Sequence, residues 1–394
     1  MKPTSDLIIV GAGLIGLSCA IAARERGMDV VLIEAGTVGR QASSASAGGV
    51  RSLNRHPAEI PLVRAALPLW ATLSARLGRD CGFRASGQVR VAEDEIAMAA
   101  LEARATRVHD LGHRHERLLS SGELANRVPG IAPHCRGALA VEDDGFADPL
   151  ATVHALREHA RRLGVRLIER TRVVGLDDLG QAVVWNAVGP DGPVTYRARH
   201  GVNAAGAWGG SLAEMVGDRV PIRTAALQMS VSAPLAHFLA PVLGSEGRKL
   251  SLKQTAGGAL VIGGGYEGTV GHEASGAAGG RIDPSLLAEN LAAAVSLFPQ
   301  VASGRIVRTW TGLEGMVVDG LPAIGPSGEH PSLVHAFGFS AHGFALVPLI
   351  GTLVTDLIEG RASEHDITPL DPRRFAQAGP DRRSHTDSQA ERAA

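Results

Sequence analysis

Apolar and polar positions follow one another along the chain in blocks that predict strands and helices. An apolar run at 7–10 predicts a buried strand, periodic apolar positions at 14–26 predict a helix ended by Gly27, and 30–33 predicts a second buried strand. A strand–helix–strand succession of this kind is typical of a parallel sheet covered by helices.

Helical and extended patterns continue to alternate after this first unit. Helical periodicity recurs at 57–77, 95–111, 149–164, 283–298 and 344–359, and extended patterning at 88–91, 165–168, 171–176, 220–232, 259–263, 323–325 and 333–337. The region 128–148 has several Gly and Pro residues and is expected to be mostly loop. We therefore expect an α/β fold in which a Rossmann-like domain is interleaved with a second domain on a mixed, largely antiparallel sheet.

Charge and composition narrow the class of function. The 394 residues carry 39 Lys and Arg against 40 Asp and Glu, a net charge of −1, so neither a nucleic-acid partner nor a polybasic membrane contact is expected. No transmembrane segment is expected, because no apolar run reaches about 18 residues. Cys19, Cys81 and Cys135 form no CxxC pair and the histidines form no HExxH, so we expect no metal site. With no signal peptide evident, a cytoplasmic location is the expectation.

A glycine motif, GAGLIG, joins the first predicted strand to the first helix. Its Gly11 permits a tight turn, Gly13 lets the backbone approach a pyrophosphate, and Gly16 lets the helix pack close to the strand. Glu34 ends the second strand, where a carboxylate can accept hydrogen bonds from a ribose and would repel a 2′-phosphate. The motif predicts dinucleotide binding but does not by itself separate FAD from NAD.

Three later segments favour FAD. They are the small-residue loop QASSASAGG, the strand end NAAGAW, and the segment GFSAHGF before the last helix. Small side chains can lie flat against a large planar ligand, and amides at a helix start can face negative charge on a reduced ring. The candidate cofactor-binding residues in these segments are Ser43, Ser44, Gly48, Gly49, Gly206, Trp208, Gly338, His342, Gly343 and Phe344.

These segments, with the run RTWTGLEGMVVDGLPAIGP, give the chain a family resemblance over about residues 6 to 370. It resembles the D-amino-acid-oxidase-type FAD oxidoreductases, which include sarcosine, glycine and D-amino-acid oxidases. The stretches GFSAHGFALVPLIG and NRHPAEIPL are most similar to opine oxidase small subunits and to FAD subunits of proline and hydroxyproline dehydrogenases. The resemblance implies that Gly11, Gly13, Gly16 and Glu34 hold the ADP half of FAD, and that Val174 gives backbone contacts to the adenine.

The chain departs from this family pattern at several positions. No cysteine occurs in 312–316, where several members attach the flavin, so non-covalent FAD is expected. Glu314 stands where glycine and D-amino-acid oxidases have a carboxylate-binding arginine, and Ala345 stands where sarcosine-type enzymes have a lysine.

The resemblance implies oxidation of a C–N bond of an amino acid, imino acid or opine, by hydride transfer from the α-carbon to flavin N5. Arg51, directly after the flavin loop, is the first candidate to bind a substrate carboxylate; the alternative is a phosphate contact or a structural ion pair. Arg308 is second, although a surface ion pair is the better interpretation. Tyr266 is expected either to line the substrate cavity or to pack in the core, and His342 either to act in the site or to form a structural hydrogen bond.

The predicted FAD-binding domain comprises 1–85, 145–215 and 320–372, and the substrate domain 86–144 and 216–319, with a disordered tail at 373–394. The sequence leaves three functions open. The first is an amino-acid or opine dehydrogenase, acting as a β subunit with partner subunits or as a homo-oligomer. The second is a stand-alone oxidase that releases hydrogen peroxide, and the third is a flavin-carrying relay subunit without a substrate site. A NAD-dependent dehydrogenase is the remaining alternative.

Overall fold

The computed structural model describes residues 5–178, 182–272 and 278–376. The strands in these ranges are β1 (Ser5–Val10), β2 (Val30–Ile33), β3 (Gly49–Val50), β4 (Gln88–Ala92), β5 (Arg117–Ser120), β6 (Gly137–Val141), β7 (Gly145–Phe146), β8 (Arg166–Ile168), β9 (Arg172–Asp178), β10 (Val183–Gly189), β11 (Gly192–Asn203), β12 (Ile222–Ser232), β13 (Val242–Ser245), β14 (Ser251–Gln254), β15 (Leu260–Gly263), β16 (Glu267–His272), β17 (Ala278–Arg281), β18 (Ile306–Val317), β19 (Ala323–Pro326) and β20 (Leu333–Phe337). The helices are α1 (Leu14–Glu25), α2 (Ala42–Ala45), α3 (Ile60–Leu77), α4 (Glu95–Asp110), α5 (Ser121–Arg127), α6 (Pro149–Arg162), α7 (Gly209–Glu214), α8 (Pro284–Leu297) and α9 (Gly343–Ile358). Short 3-10 turns lie at Gly206–Trp208, Pro299–Ser303, Thr368–Leu370 and Pro372–Phe375.

The first sheet has a parallel centre in the order β20–β11–β1–β2–β8. β19 pairs antiparallel with β20 at one edge, and β10 and β9 extend the long β11 as an antiparallel meander. Apolar side chains of β1 alternate between two clusters. Leu7 and Ile9 pack with α1, α3, α6 and α9, whereas Ile8 and Val10 pack with the meander and α7. β1 is therefore buried on both faces, which explains its unbroken apolar run.

The second sheet is antiparallel except for the β13–β4 pair. Its order is β17–β16–β12–β15–β14–β13–β4–β6–β5, with β18 also paired to β12 from Ile222↔Val317 to Ser232↔Ile306. α8 packs one face of this sheet around Phe298. The α/β class, with a Rossmann-like sheet and a second, largely antiparallel sheet, is confirmed.

The two sheets meet where β18 reaches the first sheet's loops. The Trp310 indole N–H donates to the carbonyl of Ala45 in α2 at 2.9 Å, and a Cβ on Gly312 would lie 2.6 Å from that of Ala45. Further along β18, the Ser340 N–H donates to the Gly315 carbonyl at 3.1 Å. Strands of the two sheets also alternate along the chain, although the predicted division into an FAD-binding and a substrate domain stays a prediction.

Several local expectations need adjustment. The small-residue loop contains the short helix α2, and the predicted loop region 128–148 contains β6 and β7. The beginning of the predicted tail forms the Pro372–Phe375 turn, in which Arg374 pairs with Asp319 at 2.8 Å, whereas 377–394 lies outside the described residues. Among the helices of the described ranges, none combines the length and apolar character needed to cross a bilayer.

Candidate active site

The turn between β1 and α1 forms an open cradle at a helix N-terminus. Gly11 has φ +101°, and a Cβ there would lie 2.4 Å from the Ala204 carbonyl oxygen, so only glycine fits. A Cβ on Gly16 would lie 1.9 Å from the Gly11 carbonyl oxygen, which brings α1 against the turn. Gly13 is the N-cap of α1 and offers no side-chain cap, while the Leu14 N–H donates to the Ser43 hydroxyl at 3.0 Å. Helix N–H groups and a serine hydroxyl therefore converge on one point, as an anionic phosphate requires.

Glu34 closes the other side of this turn. Its two carboxylate oxygens accept hydrogen bonds from the Ala12 N–H at 2.9 Å and the Gly36 N–H at 2.8 Å. Burial raises the pKa of Glu34, and these two backbone donors oppose that rise. The carboxylate thus fixes the shape of the glycine turn, and its remaining lone pairs are available to a ribose.

Replacing Glu34 by glutamine is expected to weaken FAD binding about tenfold, because the amide would turn an NH₂ group against one of two backbone donors, at about 1.4 kcal/mol. Titration of apoprotein with FAD measures this affinity. Glu25→Gln at the end of α1 is the control, since Glu25 makes partly exposed ion pairs with Arg76 and His159, away from the glycine turn. Equal affinities for the two variants would show that Glu34 does not shape the cradle.

Arg51 follows β3 directly, and the backbone after it is held by the carboxylate of Asp144. Asp144 is fully buried and accepts from the Ser52 N–H at 2.7 Å, the Ser52 hydroxyl at 2.8 Å and the Leu53 N–H at 2.8 Å. Arg51 itself donates to the Leu53 carbonyl at 3.0 Å. No carboxylate of the described residues lies within ion-pair distance of it. Burial, followed by the neighbouring Arg55 and Arg90, lowers its pKa more than Asp144 and Glu59 raise it, so this guanidinium is a cation without a directly paired carboxylate in the described ranges.

Behind Arg51 lies a buried group of three titratable side chains. Arg55 is 2% exposed and Glu59 is fully buried, and Glu59 contacts His342 Nδ1 at 3.2 Å. Burial, followed by the cations Arg55 and Arg51, lowers the pKa of His342 to about 4 despite Glu59, so the imidazole is neutral at pH 7. Burial opposes ionisation of Glu59, but its hydrogen bond with His342 and the nearby Arg55 lower its pKa overall. The group therefore contains a neutral histidine beside an ionised carboxylate.

The segment between β20 and α9 is a strained turn. Ser340 and Ala341 have φ of +49° and +65°, which is unusual for consecutive non-glycine residues. The Ser340 hydroxyl accepts from the Val317 N–H at 3.1 Å, and the Ser340 N–H bonds β18, so the end of β18 holds the turn. The turn leads into His342, the N-cap of α9, which provides no side-chain cap. The first amides of α9 therefore remain available to a ligand.

Glu314 on β18 faces the same turn. The Ala341 N–H interacts with its carboxylate, and burial raises the pKa of Glu314 to about 7. Arg51, His342 and Glu314 are each partly exposed, and burial is the largest cause of the pKa shift of each. We call the region around these three residues the junction cleft.

The structure does not bring every candidate to the junction cleft. Arg308 is exposed at the start of β18, with its guanidinium 5.7 Å from the Trp310 ring centre. Tyr266 is 7% exposed and its hydroxyl donates to Glu289 of α8 at 2.9 Å, so that hydroxyl is already engaged. The Tyr266 position therefore corresponds to the core alternative, and the Arg308 position to the surface one.

The remaining cofactor candidates lie in α2, at β3, on β9, and in the segments that follow β11 and β20. Ser44 lies in α2, and Gly48, with φ +69°, bonds Ala147 next to the β3–β7 pair. Gly49 starts β3, and a Cβ there or on Gly206 would meet nothing within 4 Å. The others are Trp208 at the end of the 3-10 turn after β11, Val174 half exposed on β9, Gly338 with φ +69°, and Gly343 and Phe344 in the first turn of α9. The Phe344 ring stacks on Trp70, 5.1 Å between centres, so only its backbone is available to a ligand.

These residues fit FAD. Gly11, Gly13 and Glu34 would hold the ADP half, the α1 N-terminus with Ser43 would hold the pyrophosphate, and the open face at Gly49 and the free α9 amides would receive the ring system. The cradle at Gly13, the two helix N-termini without side-chain caps and the open space at Gly49 are the observations that support this fit.

Sequence reasoning missed Asp144, Arg55 and Glu59, which position or surround Arg51 and His342. The acidic run EDDGF, which ends in β7, was a signal for Asp144, because an acid beside a turn often accepts backbone N–H bonds. Arg55 and Glu59 lie in one short stretch, but nothing local indicated that His342 would lie beside them.

Comparisons with known proteins identify the family of the chain. The model of the family described as FAD dependent oxidoreductase matches residues 6–357. Glycine oxidase of Geobacillus kaustophilus (strain HTA426) is 29% identical, covering 93% of this chain and 96% of the relative, and an opine oxidase subunit of Rhizobium meliloti is 26% identical, covering 94% and 97%. The crystal structure of glycine oxidase from Geobacillus kaustophilus has a TM-score of 0.84 at 26% identity, covering 93% of this chain and 98% of that one.

The family match spans most of the chain and confirms the resemblance predicted from the sequence, together with FAD as the cofactor. The cradle, the carboxylate at the end of β2 and the junction cleft are all within the matched residues. This chain therefore belongs to the FAD-dependent oxidoreductase family, which its motifs GAGLIG, NAAGAW and GFSAHGF resemble.

Proposed function

We propose that this protein oxidises the C–N bond of an amino acid, imino acid or opine that carries a carboxylate. One observation carries the proposal: Arg51 is a deep cation without a carboxylate partner among the described residues, and it lies at the junction cleft. A cation in that environment favours a bound carboxylate, which the guanidinium can hold bidentately. A relative named glycine oxidase and another named as part of an opine oxidase support the substrate class.

The surrounding side chains suit this reaction. Asp144 fixes the backbone after Arg51, so the guanidinium position is set before substrate arrives. His342 is neutral at pH 7 and adds no charge that would compete for the carboxylate. When bound, FAD accepts the hydride from the α-carbon, and we propose that it is held non-covalently, since 312–316 offers no cysteine.

An anaerobic titration of the purified yellow protein tests the proposal. The panel contains secondary and primary amino acids, D-hydroxyproline and opines, with the matching amines that lack a carboxylate as controls. We expect one carboxylate-bearing class to bleach the flavin absorbance near 450 nm, and its carboxylate-free amine to fail. A flavin that no amine bleaches would instead favour the relay-subunit alternative.

We further propose that the protein acts with partner subunits that receive its electrons. A relative named as a subunit supports action with partner subunits, and a stand-alone oxidase is the alternative. Hydrogen peroxide formed in step with substrate would favour the oxidase. We also propose a cytoplasmic location, since Cys19, Cys81 and Cys135 are free and buried, as suits a reducing compartment.

A further inference from the structure

Glu314 lies on the face of β18 that is turned to the small-residue loop containing α2. Successive side chains of a strand point to opposite faces, so Trp310, Gly312 and Glu314 share one face. Trp310 and Gly312 both contact Ala45 of α2, which identifies that face as the one toward the small-residue loop. Glu314 therefore points to the space between β18 and the first sheet.

The carboxylate of Glu314 has no cationic partner. Among the described residues it forms no ion pair, and its interaction is with the Ala341 N–H. Burial, followed by Arg55 and then Arg51, lowers the pKa of the next residue, His342. The Ala341–His342 pair thus connects the two charges: the Ala341 N–H interacts with the Glu314 carboxylate, and Arg51 acts on the His342 imidazole.

No charged group on the neighbouring described elements forms an ion pair with the Glu314 carboxylate. β12 places Ala225 opposite Glu314, while α2 and the Gly206–Trp208 turn carry no titratable side chain. The charged or titratable side chains on the elements packed against β18, and on β18 itself, are Arg223, Arg281, Arg308 and His342. Arg223 is paired with Glu267, and Arg308 is exposed at the far end of β18.

We propose that Glu314 binds the substrate's amino group opposite Arg51 and accepts its proton before the C–N bond is oxidised. The inference rests on the proposed function and adds to it the recognition of a zwitterion. The proton leaves the ammonium nitrogen and forms an O–H bond on the Glu314 carboxylate, which becomes neutral. The nitrogen keeps the electron pair of its broken N–H bond, and this pair forms the C=N bond as hydride leaves the α-carbon.

The acid strength of Glu314 suits this exchange. Burial raises its pKa to about 7, so at neutral pH the carboxylate can both bind a cation and keep a proton. An arginine at this position would repel the ammonium, whereas the carboxylate attracts it.

The test uses the FAD-loaded enzyme and two inert ligands of matched shape. Glycine betaine carries a permanent positive charge, and 3,3-dimethylbutyrate has carbon in place of that nitrogen; shifts of the flavin spectrum report binding of each. The wild type is expected to prefer betaine about tenfold at pH 9, and to lose most of that preference at pH 5. Glu314→Gln, which keeps the size and an acceptor for the Ala341 N–H, is expected to show no preference at either pH.

A second measurement uses whichever amine bleaches the wild-type flavin. Its kcat/KM is expected to rise through about pH 7 as Glu314 ionises, and Glu314→Gln should lack that inflection. Lys253→Met is the companion variant, because burial lowers the pKa of Lys253 to about 8, and this variant should keep the inflection.

A Glu314→Gln enzyme that keeps the betaine preference or the inflection near pH 7 would overturn the role of Glu314 while leaving the proposed function in place. A wild type that binds neither ligand and is bleached by no amine would overturn the proposed function, and the inference with it.

Discussion

Replacing Gly13 by valine is expected to give a folded but colourless protein. A Cβ on Gly13 would lie 2.9 Å from the Ser43 hydroxyl, inside the cradle where the α1 N-terminus and α2 converge. Gly13 has φ −74°, which valine adopts without strain, and the side chain that must move is a single hydroxyl. The phosphate would lose at least two charge-assisted hydrogen bonds, about 3 kcal/mol, so the FAD dissociation constant should rise at least about 100-fold.

Gly122→Val makes the same chemical change where a Cβ meets nothing within 4 Å, at the beginning of α5. FAD titration of both apoproteins, with circular dichroism to verify folding, gives the comparison. If Gly13→Val bound FAD as tightly as Gly122→Val, the pyrophosphate would not occupy this cradle.

Replacing Arg51 by methionine is expected to raise the substrate dissociation constant about 100-fold while the protein stays yellow. The variant loses a bidentate pair with the carboxylate, about 3 kcal/mol. Methionine also removes a cation that desolvation and the neighbouring Arg55 and Arg90 disfavour, so the thermal midpoint of the ligand-free enzyme should rise or stay unchanged. Substrate dependence of anaerobic flavin reduction gives the affinity, and thermal unfolding gives the midpoint.

Arg308→Met is the matched control, because Arg308 is exposed and interacts with the face of Trp310. Its substrate affinity should stay within about twofold of the wild type, as for an exposed charge. Equal losses in the two variants would indicate that Arg51 acts through general charge rather than through a direct contact.

Local pattern was enough to predict the elements whose burial is continuous. β1, α1 and β2 lie within two residues of their expected bounds, because β1 and β2 are buried inside the first sheet and α1 packs an apolar face against it. The hairpin of β10 and β11 was not predicted, although Gly189 and Gly192 flank Pro190 and Asp191, a typical turn sequence. α2 has no buried residue and no apolar period, so its short helix had no signal to follow.

The residues of the candidate site also differ in how far local sequence could predict them. Gly11, Gly13, Gly16 and Glu34 lie within one local unit, where spacing along the chain fixes spacing in the molecule. Arg51 could be proposed from its place after the loop, but its surroundings depend on Asp144, Arg55 and Glu59, which come from distant parts of the chain or fold back on it. In the sequence, Glu314 stood out only because related oxidases have a carboxylate-binding arginine at this position. Its contact with the Ala341 N–H arises from a turn that β18 holds from a distance.

The strand order of the first sheet also bears on how the chain is made. β1 pairs with β11 at Leu7↔His200, and β11 pairs with β20 at Gly201↔Leu333. During synthesis the nucleotide motif leaves the ribosome early, but one edge of β1 stays without its partner until the middle of the chain has emerged. β11 in turn awaits β20 near the end. Such distant pairings make assembly slow and leave apolar strand edges open to aggregation, so the nascent chain is a natural client for chaperones.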